Sequence, residues 1–194
     1  MTKRADRNRQ LPLLDWGDQL RQNKRIRRAL GRRIALIGTG VTLVGLTIAF
    51  PPAPRLVWNA SASAPIGLYT VTPGATAETG DMVVAQVPDR WRTLAAQRRY
   101  IPANVPLVKH VAAAAGDEVC AIGRDIFING KRAAERLDSD ASKRPMPFWE
   151  GCFRLRGRQL FLLMTSSPAS FDGRYFGVTE GNLVIGKARL LWAR

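Results

Sequence analysis

Apolar positions follow two different patterns along the chain, and the change from one to the other divides it. Residues Ile34 to Phe50 (IALIGTGVTLVGLTIAF) carry no charge and nothing more polar than threonine. A helix packed into a soluble core would show a polar stripe, and none is present. As a helix this run spans roughly 26 Å against a hydrocarbon core of about 30 Å, which predicts a transmembrane helix over 34–50. Pro51, Pro52 and Pro54 stop it.

Beyond Leu56 the apolar residues come in short, β-branched runs punctuated by Gly, Pro and Asp. Strands are predicted over Gly67–Val71, Met82–Val87, Pro106–Ala112, Glu118–Ile122, Asp125–Ile128, Gln159–Met164 and Leu183–Leu191. Asn129-Gly130 directly after Ile126–Ile128 is a hairpin signal, and Pro73-Gly74 and Gly80-Asp81 mark further turns. Helix is a minority here, expected over Asp89–Arg99, where Arg, Ala and Leu dominate. The segment Ala133–Pro147, with mixed charges and two prolines, is expected to be a mobile excursion. The domain is therefore mainly β.

Charge adds a direction to this picture. Residues 1–33 hold 11 Lys and Arg against 3 Asp and Glu, so this short stretch carries +8 of the total +15. An amphipathic helix is expected around Trp16–Leu30. Positive residues next to a span stay cytoplasmic, which divides the chain into a basic cytoplasmic segment (1–33), a transmembrane helix (34–50) and a periplasmic domain (51–194). About thirty residues before the apolar run are too many for an ordinary cleaved signal peptide. The expected location is the bacterial inner membrane, single-pass. Basic groups beside anionic lipid gain about 1 kcal/mol each, so membrane lipids account for this segment better than nucleic acid does.

Cys120 and Cys152 are the two cysteines. In an oxidising compartment a disulfide between them is favoured over two separate buried thiols, and it would tether the ends of the 133–147 excursion. A single histidine and no CxxC argue against a zinc or redox site, and no cofactor is expected.

Three segments bear on chemistry, each with a plain structural reading when taken alone. Asn59-Ala-Ser-Ala-Ser-Ala-Pro-Ile-Gly-Leu-Tyr69 reads as a turn rich in small residues. Pro106-Leu-Val-Lys-His-Val111 is a strand carrying a lysine. Ser166-Ser-Pro-Ala-Ser-Phe-Asp-Gly-Arg-Tyr-Phe-Gly177 is a loop with an Asp-Gly turn. Together, in order and spacing, they resemble the type I signal peptidase family of Ser/Lys proteases, and most closely its conjugal-transfer branch, the TraF-type peptidases. The matching elements are Ser61-Ala-Ser63-Ala-Pro65, Val108-Lys109-His110-Val111 leading to Gly116-Asp117, and Ser170-Phe-Asp172-Gly-Arg174-Tyr-Phe-Gly177. Gly80-Asp-Met-Val-Val and Asn182-Leu-Val-Ile-Gly186 also fit. Two departures stand out. One residue rather than two separates Ser63 from Pro65, as in the conjugal branch, and His110 occupies a position where the family usually has Arg.

The resemblance implies a signal-peptidase-like antiparallel β-sheet domain with an N-terminal transmembrane helix. Peptide hydrolysis needs an activated hydroxyl, a base for its proton and donors for the oxyanion. Lys109 and His110 point to opposite faces of a strand, so one site cannot easily use both. A lysine acts as base only when neutral, and burial beside Leu107, Val108 and Val111 favours that form. With these requirements, the resemblance implies Ser63 as nucleophile, Lys109 as general base and Ser170 as the hydroxyl orienting Lys109. Ser61 and the Ser63 amide form the oxyanion hole as the resemblance implies, with Asp172 and Arg174 holding the last box in shape.

The expected function is a membrane-bound serine endopeptidase that cleaves exported precursors beside the bilayer. General secretory signal peptides are one substrate class, but the TraF-type resemblance points instead to a dedicated precursor such as a conjugative pilin, with cyclisation of the product an open outcome. Components of a conjugation or secretion apparatus are possible partners. The competing reading is a noncatalytic, membrane-anchored component of such an apparatus. Proximity of the Ser63 Oγ and Lys109 Nζ, within about 2.6 to 3.2 Å, separates the two.

Overall fold

The computed structural model describes the backbone from Pro12 to Arg194 and side chains from Leu20 onward. The first eleven residues of the basic segment, and the Trp16 side chain of the expected amphipathic helix, lie outside the described residues.

Helix α1 (Pro12–Ala49) is continuous, joining part of the basic segment to the apolar run in a single element. Its 20–33 stretch is rich in Arg, Leu, Gln, Lys and Ala, which favour helix and contain no breaker other than Gly31. Pro51 ends it, because the residue before a proline is driven out of the helical region. Leu20–Ala49 is long and apolar enough to cross a membrane. The Thr42 and Thr47 hydroxyls donate to the Gly38 and Val44 carbonyls, so neither would meet an apolar surrounding without a partner.

From Ala53 onward the chain forms a second compact unit. It is built from β1 (Leu56–Asn59), β2 (Gly67–Pro73), β3 (Met82–Ala85), α2 (Asp89–Gln97), β4 (Leu107–Ala113), β5 (Glu118–Ile122) and β6 (Asp125–Ile128). These are followed by β7 (Lys131–Glu135), β8 (Gly151–Arg154), β9 (Phe161–Leu162), the short α3 (Gly173–Phe176) and β10 (Val184–Ala193). Two antiparallel sheets result, in the orders β1-β2-β10-β3-β4-β9 and β7-β6-β5-β8. The mainly β expectation agrees with this architecture.

All seven expected strands contain a strand, although Gln159–Met164 shortens to the two residues of β9. The Leu163 amide still donates to the His110 carbonyl, but the next amide, that of Met164, donates to Asp172 as the chain turns away into the 164–170 loop. Strands β1, β7 and β8 are not among the expected ones, and all three lie at sheet edges. Edge strands bury little, so β7 (KRAAE) and β8 (GCFR, exposed throughout) show no apolar alternation to read. Asn129 and Gly130 take positive φ of 50° and 74°, the hairpin geometry their sequence called for, between β6 and β7.

The 133–147 segment departs from its expected mobility. It starts within β7, and the buried Arg136 then donates to the Trp149 and Gly123 carbonyls. Further on, the Asp140 carboxylate accepts from the Tyr100 hydroxyl at 2.6 Å, the Arg144 Nε at 2.7 Å and the Ser142 and Arg144 amides. Charge alternation that looks like a solvated loop thus serves an internal network of hydrogen bonds. Cys120 and Cys152 are directly opposed on β5 and β8 and are joined as a disulfide. The bridge clips two adjacent strands, and the segment between them is held by its own contacts.

Two core clusters frame the region where the three chemistry-bearing segments meet. One gathers Ala64, Tyr69, Val71, Val84, Val108 and Met164. The other, beneath α2, gathers Val87, Ala95, Leu107, Phe171, Tyr175 and Phe176. Gly67 opens β2 against β10 so closely that a Cβ would collide with the Trp192 carbonyl oxygen, which accounts for glycine two residues after Pro65.

Candidate active site

Ser63 lies in the seven-residue connection 60–66 between β1 and β2. The next residue, Ala64, is buried in the core and pins that connection to the sheet, which leaves Ser63 half-buried at the surface of a cleft. Lys109 is in the middle of β4, paired with Val83 of β3, and only 3 % exposed. His110 is exposed on the opposite face, as strand alternation requires.

The Lys109 Nζ donates to the Ser63 Oγ at 2.6 Å and to the Ser170 Oγ at 2.8 Å. Burial among apolar neighbours lowers the Lys109 pKa from its usual 10.5 to about 8. Asp172 opposes that fall and Arg174 adds to it, both to a lesser extent. The amine is therefore neutral in a substantial fraction of molecules at mildly alkaline pH, and its nearest hydroxyl is Ser63.

Ser61 is exposed, with its Oγ 3.0 Å from the Ser63 Oγ, and it accepts from the Ser63 amide at 3.4 Å. The two donors assigned to an oxyanion hole thus stand together beside the Ser63 hydroxyl. They are turned towards each other.

Ser170, Asp172 and Arg174 are all buried. Asp172 caps α3, with Oδ1 accepting from the Arg174 amide and Nε, while Oδ2 accepts from the Met164 amide and Arg174 Nη2. The remaining Arg174 N–H groups reach the Met164, Ser167 and Pro168 carbonyls. This pair folds the 164–170 loop into the conformation that presents the Ser170 hydroxyl to Lys109. Arg174, rather than the residue after Lys109, is the partner of Asp172, so histidine at position 110 costs the pairing nothing.

A cleft of about 640 Å³ runs past Ser63 and Lys109. Its walls are mostly apolar and include Trp58, Ile101, Val105, Met146 and Phe171. The 137–146 stretch forms one side, held by the bond from Tyr100 to Asp140. Sequence reasoning left this wall unassigned because the residues that build it are far apart in the chain and ordinary in type. It also passed over Asn59 and Tyr69, whose polar groups grip the Ser63 connection from beneath.

The chain has known relatives. The family model for signal peptidase, peptidase S26, matches residues 28–193. Two Escherichia coli proteins, each named plasmid transfer protein TraF, are similar to it. One is 29% identical over 168 residues, covering 80% of this chain and 93% of the relative, and the other 30% over 162 residues, covering 76% and 90%. Among solved structures, a signal peptidase I from Enterococcus faecalis aligns with 58% of this chain and 97% of its own, at 19% identity and a TM-score of 0.34.

Proposed function

The chain belongs to the signal peptidase family, peptidase S26, and we propose that it is a membrane-anchored serine endopeptidase cleaving exported precursors beside the bilayer, with Ser63 as nucleophile and Lys109 as base. The observation carrying this reading is the 2.6 Å separation of the Lys109 Nζ and Ser63 Oγ inside a pocket that favours the neutral amine. A lysine placed only for stability would more readily have its ammonium in solvent or against a carboxylate.

The chemistry follows from the groups present. A neutral Lys109 accepts the Ser63 hydroxyl proton as the Ser63 oxygen bonds to the scissile carbonyl carbon. Negative charge then builds on the carbonyl oxygen, towards which the Ser63 amide and the Ser61 hydroxyl turn from their mutual contact. Collapse of this intermediate breaks the C–N bond, and the Lys109 ammonium returns its proton to the departing amine. A water molecule or a second amine then gives a proton to the same lysine as it bonds to the acyl carbon, the Ser63 Oγ–C bond breaks, and the lysine returns that proton to the Ser63 oxygen. Ser170 holds the lysine in line throughout, and Asp172 and Arg174 hold Ser170.

Membrane anchoring is supported by the apolar Leu20–Ala49 stretch, and the basic residues before it favour a cytoplasmic N-terminus and an exported 51–194 domain. In the folded domain, Trp58 and Trp192 lie against each other and, with Leu191, leave an exposed apolar surface at one end of the larger sheet. Tryptophan suits a bilayer interface, and Trp58 also borders the cleft. Scissile bonds just outside a precursor's own membrane segment would meet Ser63 there.

The TraF relatives are named as plasmid transfer proteins, which favours a conjugative pilin precursor over general secretory substrates. Co-expression of the chain with such a precursor in a host membrane tests the reading. The precursor is expected to shorten with the wild type and to stay intact with Ser63→Ala or Lys109→Ala, while both variants still insert in the membrane. Near-normal cleavage by Ser63→Ala overturns the assignment. The mass of the mature product separates hydrolysis from cyclisation, which leaves it one water lighter.

A further inference from the structure

We propose that Asn59 is a positioning residue for the reaction, holding the Ser63 connection in register with Lys109; this rests on the Ser63/Lys109 reading above. Asn59 is the last residue of β1, paired with Gly67 of β2, and so sits at the base of the 60–66 connection. Its side chain is turned in rather than out, and it is only 7 % exposed. The Nδ2 lies 2.9, 3.1 and 3.0 Å from the carbonyl oxygens of Ser61, Ala64 and Pro65, to which it donates. The Oδ1 accepts from the Ser61 amide at 3.1 Å. One side chain therefore grips backbone groups on both sides of Ser63.

Three carbonyl oxygens converging on one point repel each other, and the connection has no sheet partner to spread them. Two N–H donors on a single nitrogen offset that repulsion, which aspartate, an acceptor only when ionised, cannot do. The Tyr69 hydroxyl donates to the Pro65 carbonyl at 2.9 Å and holds the far end of the same turn. Lys109, by contrast, is fixed by a β-ladder on each side of β4. Of the two reacting groups, the hydroxyl is on the element that needs to be held, and Asn59 holds it. The Ser63 amide, a donor to the oxyanion, is oriented by the same turn.

Asn59 makes no bond to Lys109, and its amide is bonded to the backbone of the Ser63 connection. Its removal is therefore expected to act on turnover and to leave the titration of the base in place. The test uses the full chain in detergent with an internally quenched peptide carrying a central Ala-Xaa-Ala, comparing wild type, Asn59→Ala, Asn59→Ser and Ser63→Ala. Rates are taken across the pH range that titrates Lys109 and normalised to the folded fraction from near-UV circular dichroism.

Asn59→Ala is expected to lower kcat about 10²-fold, the effect of a misplacement on the order of 1 Å, with KM within about threefold and an unchanged pH midpoint. Asn59→Ser, whose hydroxyl stops one bond short of the Asn59 amide nitrogen, is expected to recover little of this loss. A wild-type kcat per folded molecule overturns the proposal, as does a loss confined to KM or accompanied by a moved pH midpoint. If Asn59→Ala fails to fold, Asn59→Ser decides by the same criteria. An inert wild type, or an active Ser63→Ala, removes the Ser63/Lys109 reading and this proposal with it. Wild-type rates in the Asn59 variants beside an inert Ser63→Ala remove the positioning role alone.

Discussion

The Lys109 Nζ donates to the Ser63 Oγ at 2.6 Å, although the two residues are 46 positions apart in the chain. The lysine is fixed in the ladder of β4 and the serine in a short connection at the end of β1, so their meeting is a property of the folded sheet. Because the same burial that brings them together also lowers the lysine's pKa, activity and stability are expected, on the proposed Ser63/Lys109 reading, to depend on pH in linked ways.

Cleavage is expected to increase with pH as the base loses its proton. With the Lys109 pKa near 8, log kcat/KM should rise with unit slope at lower pH and level off above about 8. A pH–rate profile on the quenched peptide checks this, and a limb centred near the ordinary lysine value contradicts it. Lys109→Arg, which keeps its proton at all these pH values, should be inactive throughout.

Lys109→Met should be inactive and more stable at neutral pH. The unfolded chain holds the Lys109 proton up to about pH 10.5 and the folded chain only to about 8. Folding therefore expels a proton between those values, and stability falls as pH drops from 10.5 through 8. Below that window the penalty is on the order of 3 kcal/mol, less whatever the bonds to Ser63 and Ser170 return. Denaturant unfolding of wild type and variant should show a gap at pH 7 that narrows towards pH 10.5, and a pH-independent gap would refute it.

Ser170→Ala removes one of the two hydroxyls that hold the Lys109 amine. Turnover should fall about 10-fold to 10²-fold with KM nearly unchanged, because the base is still present but less well aimed. Steady-state kinetics separate this from a binding defect. Loss of KM alone would place Ser170 in substrate recognition instead.

Asp172→Ala leaves the Arg174 guanidinium, 2 % exposed, without its counter-charge. Breaking a buried pair in this way costs about 3 to 5 kcal/mol, and the loop carrying Ser170 loses its shape with it. Urea unfolding should register the full loss together with lost activity, whereas a cost below about 1 kcal/mol would mean the pair is not held as described.

Cys152→Ser opens a loop with a sequence separation of 32. The chain-entropy model then gives a loss of about 3 to 4 kcal/mol. The bridge joins β5 to β8, in the sheet that does not contain Lys109, so activity per folded molecule should persist. Thermal unfolding with and without reductant measures the first effect and peptide cleavage the second.

Much of this architecture is legible without coordinates, because local rules produce it. β5 and β6 appear at their expected boundaries, since short apolar runs set off by turn residues mark them locally, and the Asn129-Gly130 turn after β6 falls where a hairpin was expected. The missed strands β1, β7 and β8 owe their existence to a partner on one side only, which leaves no periodic trace. Helix α1 joined two expected segments because nothing in the 20–33 stretch interrupts helix formation, whereas the composition boundary at Arg33 is one of charge, not of backbone.

By itself the sequence determined the apolar run and the mainly β character, since both depend on residue type and spacing, and through a family resemblance it offered Ser63, Lys109, Ser170, Asp172 and Arg174 as candidates. Tertiary structure alone decided that Lys109 is buried with two hydroxyls on its amine, that Arg174 pairs with Asp172, and that Asn59 faces inward beneath Ser63. Burial and hydrogen-bond geometry are sums over neighbours drawn from distant parts of the chain, so no local pattern carries them. The protonation state of one amine depends on that sum.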